Sequence, residues 1–362
     1  MSSNNPQLPT GPPAWFSFDG ASLIYQAGER RVWKIRDEYI LKRTPTTSHG
    51  TNSEAVTHRF VSAQTSVPVP FVYGEWRSEN GRWHYLLEGR IAGQTLADCW
   101  PRLTIDDKLD LAEQVVEYMA ELRRFTASHM RSVSGHRLPN NLFVPRPFPQ
   151  GARGFLSGTW RTDDDIFARE FLPALQHARV APDVIRLLRR TMPPCAGQLQ
   201  FTHCDLYVGN VMVDFLRGGG RRRAVVSAII DWESAGYWPA WFQHARITHG
   251  CSKIDGDWKY FLSRLQRDTI PYADHGRVWW DTVHTLLDRP ASLKARAWLR
   301  LLVGYVRGER DVSELQRYQE MDVQEEEEEV VVEAFRGTLL PRGRGRGADG
   351  YYSTAIGGFR RR

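Results

Sequence analysis

Cysteine is scarce in this chain: four in 362 residues, at Cys99, Cys195, Cys204 and Cys251, far apart and with no Cys-x-x-Cys pair. That excludes zinc ribbons and disulfide scaffolds and leaves free thiols suited to a reducing compartment. Long apolar runs are missing too, and none approaches the ~20 residues a membrane-spanning helix needs. No basic stretch followed by an apolar one opens the chain, so residues 1–14 do not read as a secretory signal. A cytoplasmic location and no membrane partner are expected. Strong charge of one sign is also absent: 48 Lys and Arg stand against 42 Asp and Glu, a net +6. Nucleic-acid surfaces come from clustered charge rather than from such a total.

What is present is a globular composition, 41% hydrophobic with 13 Trp, enough for a large core. Residues 1–14 are polar and proline-rich and read as a disordered arm. Residues 15–91 read as a small sheet with one helix. Strands are expected at 22–24, 31–36, 39–42, 69–76 and 83–91, with a helix over 52–64 capped by Asn52 or Ser53 and stopped by Pro68 and Pro70. Residues 92–318 change texture. Apolar positions at helical spacing predict a helix over 104–125, another over 162–190, and a mostly helical stretch over 238–306. Short strands are expected at 199–202, 210–215 and 224–230, and 130–160 reads as a long surface loop. Arg217 to Arg223 form a solvated hairpin tip, with too few basic residues to track a nucleic-acid groove. Residues 319–362, with the Glu325–Glu329 block and alternating Arg and Gly at 342–347, read as a disordered tail, the only part suited to RNA.

The chemistry concentrates in Phe201-Thr202-His203-Cys204-Asp205-Leu206-Tyr207-Val208-Gly209-Asn210. Phosphoryl transfer to a hydroxyl needs a carboxylate to take or orient the nucleophile's proton and an amide to hold a divalent ion at the phosphates. Asp205 and Asn210 have that spacing. Asp231 follows the apolar run 225–230, and a carboxylate at the end of a buried strand is costly unless it meets a cation such as Mg²⁺. Lys42 ends the strand Tyr39-Ile40-Leu41-Lys42, and Glu54 opens the next helix. A strand Lys held by a helix Glu can neutralise the α- and β-phosphates of a nucleotide.

Several further stretches carry a resemblance. Val67-Pro68-Val69-Pro70, Tyr85-Leu86-Leu87-Glu88, Ile91-Ala92-Gly93-Gln94-Thr95-Leu96, Val213-Asp214, Ile230-Asp231-Trp232-Glu233 and Ala235-Gly236-Tyr237-Trp238-Pro239 resemble the aminoglycoside phosphotransferase family, in particular its fungal members, over roughly residues 20–310. The resemblance implies an α+β, protein-kinase-like two-lobed fold: a small antiparallel-sheet N-lobe with one helix over 15–91 and a larger, mainly helical C-lobe over 92–318. It further implies ATP and Mg²⁺ as cofactors, a small hydroxylated substrate, Asp205 as catalytic base, Asn210 and Asp231 as Mg²⁺ ligands, Lys42 as a phosphate contact and His203 as support for the loop. Gly28 is the lone glycine of the phosphate-covering turn, with Arg30 and Arg31 beside it. Glu88 and Arg90 are positional candidates at the linker where adenine is read. Cys204 stands where the family usually has Gly.

Two rivals follow from the same residues. A protein kinase would need a long activation segment after Asp231, but Gly236, Trp238 and Pro239 arrive almost at once. A catalytically inactive kinase-like binding protein would fit the glycine-poor turn, against the intact set Lys42, Asp205, Asn210 and Asp231. For a polycationic acceptor, Glu233, Asp255 and Asp257 are the acidic candidates.

Overall fold

The computed structural model describes residues 8–46, 54–138, 143–144, 160, 162–195, 199–218, 221–247 and 253–309. The tail at 319–362, the cap candidates Asn52 and Ser53, and most of the stretch 130–160 lie outside them.

Residues 21–89 build β1 (Ala21–Ala27), β2 (Arg30–Ile35) and β3 (Tyr39–Pro45), then α1 (Glu54–Gln64), β4 (Val72–Arg77) and β5 (Trp83–Gly89). They form an antiparallel sheet in the order β1-β2-β3-β5-β4. Side chains alternate across each strand, which sorts the two faces. Leu41 and Leu87 stand opposite each other and pack with Ile35 and Trp76 into a small core on one face. Lys42 therefore points to the other face, towards α1 and the cleft. Pro9 to Gly11, expected as part of a disordered arm, instead pair with Arg77 at the end of β4: the Gly11 N–H donates to the Arg77 carbonyl and the Arg77 N–H to that of Pro9. An edge strand offers unpaired backbone groups that an extended segment can satisfy.

The larger lobe continues with β6 (Gln94–Thr95), α2 (Leu96–Cys99), α3 (Ile105–Leu122), β7 (Thr126–Ala127), α4 (Asp163–Ile166), α5 (Leu172–His177), α6 (Pro182–Thr191), β8 (Leu199–Thr202), β9 (Val211–Gly218), β10 (Arg221–Ile229), β11 (Gly236–Pro239), α7 (Phe242–Ile247), α8 (Lys253–Gln266), α9 (Ala273–Asp288) and α10 (Leu293–Val306). α3 begins on a full capping box between Thr104 and Asp107. β9 and β10 make the expected hairpin, with β6 on its far side, and β8 is sandwiched between β11 and β7. At Gly93 the φ is +102°, and a Cβ would come within 2.4 Å of the Val213 carbonyl oxygen, so only glycine lets the chain entering β6 approach β9.

Two expectations are corrected here. The helix expected over 162–190 is divided. A wide π turn at Phe167–Phe171 joins α4 to α5, Arg179 takes a left-handed φ of 57°, and Pro182 restarts the helix as α6. Pro182 has no N–H to continue a preceding helix, whereas the first turn of a new one needs none. The stretch 130–160 is not simply a surface loop. Met130, Leu138, Phe143 and Val144 are buried, and Phe143 packs against Phe171, Trp238 and Phe242 while its carbonyl accepts the Trp280 indole N–H at 2.9 Å. No helix among the described residues is long and apolar enough to cross a membrane.

Candidate active site

The site starts from strand alternation. On the cleft face of the sheet, Ile40 stands opposite Glu88 and Lys42 opposite Leu86, so Lys42 and Glu88 are diagonal neighbours. The Lys42 Nζ lies 2.5 Å from Glu54 Oε1 and 3.1 Å from Glu88 Oε2. Glu54 is in the first turn of α1, and His58, four residues on and so on the same helix face, brings its Nδ1 to 3.1 Å from Glu88 Oε1. Lys34, on the preceding strand, pairs instead with Asp37 at 3.0 Å.

Burial by itself would strip Lys42 of its proton, but the carboxylates of Glu54 and Glu88 outweigh it and hold the ammonium charged. Burial likewise favours the neutral acid at Glu54, yet Lys42 and then His58 pull that carboxyl down to about 2. Glu88 is pushed up to about 7, chiefly by burial, with Lys42 opposing and Glu54 adding repulsion. His58 is lowered to about 4 by burial.

The loop after β8 faces this group. His203 is fully buried, with Nε2 3.0 Å from the Ile230 carbonyl and Nδ1 accepting the Asp205 N–H at 3.1 Å. Its pKa falls to about 4 through burial, so the neutral ring can accept at one nitrogen and donate at the other. Cys204 has a left-handed φ of 65°, which gives a local reason for glycine at such a position. The Asn210 amide donates to the Asp205 carbonyl at 2.9 Å and lies 3.4 Å from its Oδ2. Asp205 is a third exposed, with Arg246 Nη2 3.5 Å away. Burial raises the Asp205 carboxyl, opposed by Arg246 and Lys259.

Asp231 follows β10 directly and also takes a left-handed φ, 64°. Its carboxyl is raised by burial and lowered by Lys42. The next residue closes the arrangement: the Trp232 N–H donates to Glu54 Oε1 at 3.2 Å, so one carboxylate oxygen touches both Lys42 and the Asp231 turn. Arg30 on β2 makes a two-pronged pair with Glu233 in the same turn.

Lys42, Glu54, Glu88, His203, Asp205, Asn210 and Asp231 are thus brought together where the sheet meets the loops after β8 and β10. Gly28 sits at the β1–β2 turn with φ +55° and open space around it. Two expectations differ. The Glu88 side chain is turned into the Lys42 group rather than towards the linker, because its strand position shares Lys42's face. Arg90 is exposed, its guanidinium 3.4 Å from the Asp37 carbonyl at the β2–β3 turn. The Arg30–Glu233 pair and the place of Arg246 had no signal in the sequence beyond charge. The one cue to Glu88 was a carboxylate set in the apolar run Leu86-Leu87.

The antiparallel-sheet lobe and the larger, mainly helical lobe make a two-lobed α+β fold. A profile described as the phosphotransferase enzyme family matches residues 26–309, and the chain belongs to that family. No curated protein matches the chain. Among solved structures, it is similar to a thermostable mutant of aminoglycoside phosphotransferase APH(4)-Ia in a ternary complex with AMP-PNP and hygromycin B, at 17% identity over 79% of this chain and 92% of that one, TM-score 0.46. It is also similar to the streptomycin–ATP complex of APH(2")-IIa, at 13% identity over 79% and 91%, TM-score 0.46.

Proposed function

We propose that this enzyme moves the γ-phosphate of ATP to a hydroxyl of a small molecule, with Asp205 as the base. The observation that carries the reading is the shared Glu54 oxygen, which ties Lys42 to the Asp231 turn across the cleft. It leaves one buried cation aimed at the place where phosphates would lie, with the two loop acids beyond it.

The donors suit a hard divalent ion. Asn210 uses its amide N–H on Asp205, which leaves Oδ1 as an acceptor, and among the described residues the Asp231 carboxylate accepts no hydrogen bond. Oxygen ligands of this kind, in a group of carboxylates that repel one another, fit Mg²⁺. Bound there, Mg²⁺ would neutralise charge on the β- and γ-phosphates. Lys42 would contact the α- and β-phosphates, with Glu54 and Glu88 fixing its position. Asp205 would receive the acceptor's proton as the acceptor oxygen bonds to the γ-phosphorus. The bond from that phosphorus to the bridging oxygen breaks, and ADP leaves with the electron pair. A carboxyl raised by burial is a better proton acceptor than a free one.

The test compares Asp205→Asn with Asp231→Asn. Asp205→Asn should keep ATP–Mg²⁺ affinity by calorimetry and lose about 10²–10⁴-fold in turnover, the usual loss of a general base. Asp231→Asn should lower affinity and turnover together. Wild-type protein that binds ATP–Mg²⁺ and turns over no acceptor would favour a binding module.

A further inference from the structure

We propose that the acceptor carries an oxyanion, a carboxylate or a phosphate, which docks on Arg246 beside Asp205. This rests on the kinase reading above and adds the chemistry of its acceptor.

Arg246 comes from α7, which packs behind the catalytic loop. Its Nε donates to the Cys204 carbonyl at 3.2 Å, and Nη2 approaches Asp205 Oδ1 at 3.5 Å. A guanidinium has five N–H donors in a rigid plane and stays charged. These two contacts leave the remaining donors without a partner among the described residues. The side chain is 21% exposed, next to an Asp205 that is 33% exposed. An unused guanidinium edge at the mouth of the loop matches the two oxygens of a carboxylate or phosphate.

A second cation stands nearby. α8 addresses the same loop: Asp255 accepts the Val208 N–H at 3.1 Å, and the Trp258 indole donates to the Leu206 carbonyl at 3.3 Å. Lys259 follows Asp255 by four residues and so shares its face. It lies close enough to Asp205 to oppose the effect of burial on that carboxyl.

The acids that a polycation would need are engaged elsewhere. Both oxygens of Glu233 are taken by Arg30, and Asp255 is buried against loop backbone. Asp257 is exposed but lies two residues past Asp255, on another face of α8. A polycationic acceptor would thus bring like charge to Arg246, which disfavours docking. The 3.5 Å between Arg246 and Asp205 also sets how far the anion can stand from the reacting hydroxyl. With ordinary hydrogen bonds to both, anion oxygen and hydroxyl are on the order of 4–6 Å apart, a short hydroxy acid or phosphate ester.

The experiment measures ADP release with matched acceptors: glycerate, gluconate and glycerol 3-phosphate, their uncharged counterparts glycerol and sorbitol, and the polycation kanamycin. ATP–Mg²⁺ binding is measured beside it by calorimetry. The expected result is a kcat/KM for the anionic acceptors at least about tenfold above their uncharged counterparts, the effect of one charge-assisted bond. Glycerate against glycerol 3-phosphate then separates a carboxylate acceptor from a phosphorylated one. Arg246→Gln should shrink that anionic preference roughly 10–100-fold, and Arg246→Lys should restore part of it. If Arg246→Gln does not fold, Lys259→Gln and the wild-type panel decide. Wild type that binds ATP–Mg²⁺ and turns over an uncharged acceptor or kanamycin at least as well as any anionic one overturns the anionic acceptor and leaves the kinase reading standing, whereas binding with no turnover of any acceptor overturns both. Wild type that binds no ATP–Mg²⁺ and turns over nothing overturns the kinase reading, and this proposal with it.

Discussion

Arg30 and Glu233 lie 203 residues apart and meet in a two-pronged ion pair, with Nη1 2.7 Å from Oε1 and Nη2 on Oε2. One partner belongs to the strand after the Gly28 turn, the other to the turn after Asp231. The pair therefore fastens the sheet to the loop that carries a candidate metal ligand. Isolated exposed pairs contribute little, but a bidentate one tied into a group of charges contributes more.

Arg30→Ala and Glu233→Gln should each raise the KM for ATP several-fold, and the double variant should be no worse than either single one. Their coupling, by double-mutant cycle on kcat/KM, should reach about 1 kcal/mol. Additive effects would show two independent residues rather than a fastening between the lobes.

Lys42→Met removes the cation between Glu54 and Glu88. Breaking a buried ion pair from one side costs about 3–5 kcal/mol, because a charge is left uncompensated. Protonation of Glu88, already pushed up to about 7, softens that loss. Adding Glu54→Gln to Lys42→Met should recover much of the melting temperature and none of the turnover. Recovery of both would mean that Lys42 serves folding only.

Acid should destabilise the protein in two stages. Burial lowers His58, His84 and His203 to about 4 and His244 to about 3, against about 6.5 in the unfolded chain. Depressed histidines contribute stability that is complete above pH ~6.5 and is lost as pH falls towards their folded values. Glu88 and Glu233, raised to about 7, act the other way between pH ~7 and ~4.5, where the folded state binds their protons first. The melting temperature should thus decline gently from pH 6.5 to 4.5. Below that it should fall steeply, where Glu54, held near 2, adds its own loss. Scanning calorimetry from pH 4 to 7 checks this; a melting temperature that rises steadily on acidification would be the contrary result.

Gly93→Ala should destabilise the fold by about 1–3 kcal/mol, the usual range for a residue forced into a sparsely populated backbone region. The added Cβ would also meet the Val213 carbonyl. Denaturant unfolding measures it, and an unchanged midpoint would show that β6 can move away from β9.

The sequence by itself determined the parts whose signal is local. The His203–Asn210 spacing, the acid closing an apolar strand at Asp231 and the strand–helix succession of Lys42 and Glu54 were all legible, because backbone periodicity decides which residues share a face. The two-lobed α+β architecture was legible in the change of texture near Gly93. Tertiary structure alone decided the rest. Glu88 turned inward to Lys42 because β5 pairs with β3 in one register, and a slip of one residue would have pointed it away. Arg30 met Glu233, Arg246 met Asp205 and Phe143 entered the aromatic core through contacts between segments distant in the chain. No local pattern encodes such meetings, since they depend on which packed surfaces come to face each other once the lobes have formed.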